Sequence, residues 1–337
     1  MSREMTIKDV AKKAGVSVST VSRVFNGLDR VSESTRLKIQ KVIEESNYVP
    51  NNVAVSMVSK QTKMIVVIVP DIIIDFFVSV VQGVEEVAKR HGYFTIVFST
   101  NGNVNEEKEF LNGRFGKSVD GVISVPSSSN VDFYRDFPRP VVLVDRYVKG
   151  LGLDYVAINN FDGAYMATKH LLEYGHRKIA IINGPVSVNV GQDRYSGFMH
   201  ALEESGVRVP GEYVKFGNWY EKDGYEYVRS LLALKDPPTA IFAANSQICI
   251  GAIKALHDMD VKIGEEISLI GFDENELAKF VRPNISVVGR PTSEMGQIAA
   301  NILLENIKSK KRPPHQYNEI VLPTRLILRS SVKKLTD

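Results

Sequence analysis

The first 46 residues carry apolar side chains at helical spacing. Ile7, Val10, Ala11 and Ala14 fall at i, i+3, i+4 and i+7, which predicts a short amphipathic helix. Thr6 is a good N-cap, and Asp9 three residues on places a carboxylate at the positive end of the helix dipole. Gly15 follows at the position where a left-handed residue costs least. Ser17 then caps a second helix, whose Val21, Val24 and Phe25 can face back onto the first. Its outer side and N-terminal end show Val18, Ser19, Thr20, Ser22 and Arg23. Asn26-Gly-Leu-Asp-Arg30 reads as a loop, and Ser32 or Ser34 caps a third helix through about Ser46 with Ile39, Val42 and Ile43 as its buried stripe. Beyond the turn at Tyr48-Val-Pro-Asn-Asn52, Val53-Ala-Val-Ser-Met-Val58 is too short to hold a helix without DNA or a partner.

From Lys63 the pattern changes. Met64-Ile-Val-Val-Ile-Val69 is a continuous β-branched run, as expected of a strand buried on both faces. A helical pattern follows at Phe77, Val80, Val81, Val84, Val87 and Ala88, and then a strand over Tyr93–Phe98. Further strands are expected at Gly121–Val125, Val141–Val144, Ile179–Ile182, Ala240–Ala243 and Ile267–Ile270. Helical patterns lie between them near 104–114, 162–174, 191–205, 221–234 and 246–258. This alternation means parallel sheets with helices on both sides, and the segment is too long for one sheet. The predicted fold class is a small all-α helix-turn-helix head and an α/β body of two doubly wound parallel-sheet lobes.

Composition narrows the chemistry. Cys249 is the only cysteine, which excludes an intramolecular disulfide and any cysteine-based metal site. His170 and His176 are the closest histidines, but their spacing does not share a helical face, so no metal is expected. Neither a Walker A loop nor a Gly-x-Gly-x-x-Gly after a strand is present, and no cofactor is expected. No stretch approaches the roughly 20 apolar residues of a membrane span, and Met-Ser-Arg-Glu-Met-Thr has no hydrophobic signal region. A cytoplasmic protein without membrane contact is the expectation. The net charge of +3 is unevenly divided: residues 1–62 carry 10 Lys+Arg against 6 Asp+Glu, and the rest carry 32 against 33. A basic head on a near-neutral body suits a polyanion-binding module joined to something else. The hairpin at 6–26 is either an ordinary helical hairpin or a helix-turn-helix presenting base-reading residues at the start of its second helix.

Four segments in order resemble the LacI/GalR family of bacterial repressors. They are Thr6-Ile-Lys-Asp-Val-Ala11 with its continuation through Val16-Ser17 and Thr20-Val-Ser-Arg-Val24 to Asn26, Asn47-Tyr-Val-Pro-Asn51, His170-Leu-Leu-Glu-Tyr-Gly-His-Arg-Lys-Ile-Ala180 and Gly271-Phe-Asp273. The resemblance spans the whole chain. It implies a DNA-binding domain at 1–48, a hinge helix and linker at 49–62, and an effector-binding and dimerisation domain at 63–337 of periplasmic-binding-protein type. Lobe 1 is then about 63–160 and 290–320, and lobe 2 about 161–289 and 321–332, with crossovers near 160, 289 and 320. The partners implied are a palindromic double-stranded operator, a second copy of the chain, and a small-molecule effector between the lobes. The chain has no heptad tail before Leu335-Thr-Asp337, so dimers are expected and not coiled-coil tetramers.

Residue by residue, Val18, Ser19 and Arg23 match base-reading positions, and Arg23 can bond a guanine edge bidentately. Thr6, Ser17, Ser22 and Asn26 are placed for phosphates, with Thr20 beside them. Val53, Ala54 and Met57 match the hinge, Met57 standing where Leu is usual and serving as the apolar minor-groove wedge. Val55 stands where Arg is frequent. Effector positions match Phe77, Asp145, Arg146, Phe161, Arg194, Trp219, Asn245, Asp273 and Arg290. Aromatic faces and paired polar groups are what a sugar needs. Three departures bear on the ligand: Ile74-Asp75-Phe76-Phe77 replaces Asn-Pro-Phe-Phe, Ser246 replaces Asp, and Arg290 replaces Gln. They make the cleft more cationic beside Arg146 and Arg194, which points to a sugar acid or sugar phosphate. The rival readings are a transport-type sugar-binding protein, a regulator controlled by a protein corepressor, and an enzyme using Asp145 and Asp273 for acid–base work.

Overall fold

The computed structural model describes residues 5–25, 31–46, 61–129, 132–148, 150–309 and 317–335. It divides into two compact units, Met1–Thr62 and Lys63–Asp337. The side chain of Phe25, the residue Asn26, and the hinge positions Val53, Ala54 and Met57 lie outside the described residues.

Among its described residues the first unit contains three helices: α1 (Ile7–Ala14), α2 (Val18–Phe25) and α3 (Glu33–Ser46). Asp9 turns back over the start of α1, accepting from the Thr6 N–H at 2.9 Å and the Thr6 hydroxyl at 2.6 Å. Gly15 ends α1 at φ +66°, in the left-handed region that glycine enters freely. Ser17 caps α2 by accepting from the Thr20 N–H at 3.2 Å. Ser32, and not Ser34, precedes α3. Val10, Ala11, Ala14, Val21 and Ile39 form the buried centre, with Ile7, Val24, Val42 and Ile43 packed around it.

The second unit contains two six-stranded sheets. Lobe 1 is built from β1 (Met64–Val69), α4 (Asp75–Arg90), β2 (Phe94–Ser99), α5 (Val104–Asn112), α6 (Arg114–Ser118), β3 (Gly121–Ser124), β4 (Val141–Val144) and β5 (Asp154–Ile158). Lobe 2 takes α7 (Asn160–Glu173), β6 (Ile179–Asn183), α8 (Asn189–Glu204), β7 (Val214–Phe216), α9 (Glu221–Leu232), β8 (Ala240–Ala243), α10 (Ser246–Asp258), β9 (Ser268–Phe272), α11 (Glu276–Phe280) and β10 (Ser286–Gly289). The chain then returns to lobe 1 with α12 (Thr292–Lys308) and β11 (Glu319–Leu322), and ends in lobe 2 with β12 (Arg325–Ile327). The strand orders are β11-β5-β4-β3-β1-β2 and β12-β10-β9-β8-β6-β7. All pairings are parallel except β10 with β12. The third passage between lobes falls at Pro323–Thr324, later than the expected 320, because β11 pairs with β5 through Leu322.

Helices on these sheets pack backbone to backbone where glycine removes the side chain. A Cβ on Gly224 of α9 would lie 2.1 Å from the Ile248 carbonyl oxygen, and one on Gly251 of α10 would lie 1.9 Å from that of Glu221.

His176 ties lobe 2 to the chain terminus. It is fully buried, with Nδ1 2.9 Å from Thr239 Oγ1, and Nε2 3.1 Å from the Lys333 carbonyl oxygen and 2.9 Å from Ser268 Oγ. Burial, reinforced by the Lys333 and His170 charges, holds its pKa below the ordinary histidine value against the opposing pull of the Lys333 carbonyl. The native state therefore keeps His176 neutral, while the unfolded chain takes up the proton below about pH 6.5. Stability is full above that pH and falls as pH drops through it, with a limiting slope of about 1.4 kcal/mol per pH unit. Denaturant titrations at pH 7.5 and 5.5 check this: His176→Asn is expected to lose less stability on acidification than the unaltered chain.

Candidate functional site

In each sheet of the second unit one inner strand is followed by an aspartate. Asp145 follows β4 and donates its N–H to the Val156 carbonyl at 2.9 Å; Asp273 follows β9 and donates to that of Val288 at the same distance. Both adopt left-handed backbone, φ +65° and +72°, as does Trp219 at +70°. Non-glycine residues held there carry strain that persists only where the surroundings impose it, and such residues gather at functional sites. All three line one cavity of about 430 Å³ at the C-terminal ends of the strands, where doubly wound sheets bind ligands.

Arg290 leaves the end of β10 and reaches both aspartates. Its Nη1 lies 2.5 Å from Asp145 Oδ1 and its Nη2 2.8 Å from Asp273 Oδ2, while Nε makes a 2.5 Å ion contact with Asp273 Oδ1. The guanidinium lies 3.4 Å over the Phe76 ring, and the side chain is only 4% exposed. Burial opposes this charge, but Asp273 and Asp145 outweigh it and hold the pKa above the usual arginine value. One cation thus joins the strand ends of both lobes.

The other two arginines keep unused donors. Arg194 on α8 gives Nε to Asn160 Oδ1 at 2.8 Å and Nη1 to the Ala244 carbonyl at 2.5 Å, lying 3.6 Å from the Phe272 ring. Burial, partly countered by Asp273, pushes its pKa down to about 9, so it stays charged near neutrality. Arg146 gives Nη1 to the Pro126 carbonyl at 3.1 Å, and burial lowers its pKa as well. Arg194 Nη2 and Arg146 Nε are closed to solvent and have no hydrogen-bond partner among the described residues.

Trp219 is held by its backbone and by a missing side chain. Asn245 Nδ2 donates to its carbonyl at 3.0 Å, while Asn245 Oδ1 caps α10 through the Ile248 N–H at 2.8 Å. A Cβ on Gly184 would fall 1.9 Å from the indole, so only glycine leaves room for the ring. Phe77 lies on α4, its ring edge-on to Phe76 with centroids 5.0 Å apart.

Eight of the nine residues expected at the effector site therefore line this cavity, as do Ile74 and Ser246. Phe161 does not. Its ring turns onto α8, with its centroid 5.6 Å from that of His200. The neighbouring Asn160, one position earlier on α7, is buried and holds Arg194 instead. A shift of one residue turns a helical side chain by about 100°. Asn160 was missed, as were Phe76, Tyr220 and Asn218, which also serve the cavity. The aromatic pair at 76–77 and the strand-end Asn159-Asn160 were the available signals.

On the head, α2 presents Ser17, Val18, Ser19 and Arg23 exposed, with Thr20 and Ser22 half-buried. Thr6 is exposed at the start of α1. Ser17 Oγ lies 2.7 Å from Ser19 Oγ and 2.8 Å from Thr20 Oγ1, which fixes the polar end of α2. A basic residue and small hydroxyls at the free N-terminal half of a second helix form a surface able to enter a major groove.

Comparison with known proteins agrees with both halves. Residues 6–51 match the family model for bacterial regulatory proteins of the lacI family, and 168–332 match a periplasmic binding protein-like domain. The chain is 35% identical over 334 residues to the HTH-type transcriptional repressor PurR of Haemophilus influenzae (strain PittEE), covering 98% of this chain and 99% of the relative. It is 35% identical over 328 residues to the ribose operon repressor of Halalkalibacterium halodurans, covering 97% of each. Among solved structures, the lac repressor dimer bound to operator and the anti-inducer ONPF superposes with a TM-score of 0.85 at 25% identity, over 98% of this chain and all of that one.

Proposed function

The chain belongs to the lacI family of bacterial regulatory proteins, and from that premise we propose a repressor of carbohydrate-utilisation genes whose effector is sugar-derived. It is a DNA-binding transcriptional repressor of the LacI type, binding operator DNA as a dimer and responding to a small molecule. Its relatives are repressors, not enzymes. Among the described residues no helix is long and apolar enough to cross a membrane. We place the protein in the cytoplasm, with its DNA.

The observation that carries the effector reading is the pair of aspartates in left-handed backbone facing one cavity beside Trp219. Phe77 and Trp219 offer flat faces for sugar C–H groups. Asp145, Arg146, Arg194, Asn245, Asp273 and Arg290 surround them with directional polar groups. On DNA, Val18, Ser19 and Arg23 read base edges and Thr6, Ser17, Thr20 and Ser22 hold phosphates, with Asn26 and the hinge residues Val53, Ala54 and Met57 completing the surface. Effector binding changes the lobe arrangement and, through the dimer, the seating of the hinge on DNA.

Two measurements test this. Arg23→Ala should weaken a selected palindromic operator by about tenfold to a hundredfold, in line with about 1–3 kcal/mol for a bidentate base contact, with a much smaller change on random DNA. Trp219, the only tryptophan, should change fluorescence when sugars and sugar derivatives are titrated. A protein that shows no sequence preference and no fluorescence response to any of them contradicts the reading.

A further inference from the structure

The two aspartates of the cleft are engaged by one cation, while two other guanidinium groups keep unpaired N–H groups. Asp145 and Asp273 are the groups best suited to accept from sugar hydroxyls, and Arg290 engages both while bridging the lobes. Asp71 at the rim accepts from the Ile73 N–H at 2.9 Å. Beneath Arg146, Glu107 is also occupied: its Oε2 accepts from the Ser127 N–H at 3.0 Å and its Oε1 accepts from the Tyr134 hydroxyl. Among the arginines and aspartates of the cavity, four buried atoms have no hydrogen-bond partner among the described residues. Arg290 Nε and Asp273 Oδ1 face each other in an ion contact, whereas Arg146 Nε and Arg194 Nη2 face no carboxylate oxygen in an ion pair. A ligand hydroxyl meeting Arg146 or Arg194 finds a donor and must place its own proton on a carboxylate already held by Arg290. A carboxylate or phosphate oxygen has no proton to place, and it forms the stronger, charge-assisted bond.

We propose that Arg290 sets the effector class by occupying both aspartates, so that the cleft takes a sugar bearing a carboxylate or a phosphate. The anionic group faces the guanidinium groups of Arg146 and Arg194 that line the cavity, and the polyhydroxyl frame lies against Trp219. This deepens the sugar-derived effector reading above and rests on it. Arg290 acts through the aspartates it covers and is a specificity-determining residue. In its place a neutral amide would free carboxylate oxygens for hydroxyl protons and remove one positive charge, shifting preference toward neutral sugars on both counts.

The test is calorimetry on the full chain with matched ligands: D-galactose, D-galacturonate and galactose 6-phosphate, and D-ribose with ribose 5-phosphate and ribonate. In the unaltered protein at least one acidic ligand should bind about tenfold or more tighter than its neutral parent, and the acid and phosphate arms identify which anion is read. In Arg290→Gln that ratio should shrink or reverse. A neutral parent that binds as tightly as its acidic derivatives overturns the proposal, and this ranking needs no variant to fold. An unchanged ratio in a folded Arg290→Gln protein, checked by circular dichroism, overturns the role of Arg290. Binding of no sugar or derivative, with operator binding intact, instead defeats the sugar-derived effector reading and the proposal with it.

Discussion

Asp273→Ala is expected to lower the unfolding free energy by about 3–5 kcal/mol and to abolish the response to effector, as measured by denaturant unfolding and Trp219 fluorescence. Two costs combine. Arg290, 4% exposed, loses the carboxylate that meets its Nε and Nη2 and keeps only Asp145. Leaving a buried cation short of a partner is far more costly than the net worth of the pair. The backbone at 273 also sits at φ +72°, which aspartate tolerates and alanine resists. Asp273→Asn separates the two, since it keeps the shape and the left-handed tolerance but removes the charge. It should recover part of the stability and little of the effector response. Equal stability of Asp273→Ala and the unaltered chain would show that the bridge across the lobes holds nothing together.

Gly251→Ala should cost about 2–4 kcal/mol, at or above the usual range for overpacking, because the obstacle is backbone. Its Cβ would lie 1.9 Å from the Glu221 carbonyl oxygen and 2.7 Å from the Tyr225 nitrogen, and Gly224 makes the reciprocal approach to Ile248. The helices must separate, and α9 is tied to the site at its start. Asp223 Oδ2 accepts from the N–H groups of Asn218 at 2.7 Å and Tyr220 at 3.0 Å, on either side of Trp219. Moving α9 therefore moves Trp219, so effector affinity should fall together with stability. Gly211→Ala is the control, since a Cβ there meets nothing within 4 Å. Thermal unfolding and a ligand titration on both variants decide it; matched behaviour of the two would remove the packing argument.

The legible parts of the fold were those with long uniform signals. Met64–Val69, expected as a strand buried on both faces, is buried along nearly its whole length, and the stripe on α4 from Phe77 to Ala88 matches the face it buries. α12 lies outside the helical patterns expected from the sequence, although Met295, Ile302, Leu303 and Leu304 stand on its buried side together with Gly296, Ala299 and Ala300. β7 and β12 have three residues each, too few to show alternation. At the site, Asp145 and Asp273 were implied by the family resemblance, and the fold sets them after β4 and β9, at strand ends where doubly wound sheets gather ligands. Phe161 was implied in the same way, but one residue of helical phase decides whether a ring meets the cleft or the next helix. From the sequence Arg290 reads as a ligand-facing cation, and the structure shows that it also joins Asp145 and Asp273. Only the convergence of three distant segments settles which groups it touches.

The account stands on coupling between cleft and operator, and coupling must be reciprocal. The direct measurement is operator affinity with and without saturating effector, together with effector affinity for free and operator-bound protein. The account predicts that both affinities change by the same factor, about 5–150-fold. A protein that binds operator and effector normally, with neither affinity altered by the other ligand, would contradict it.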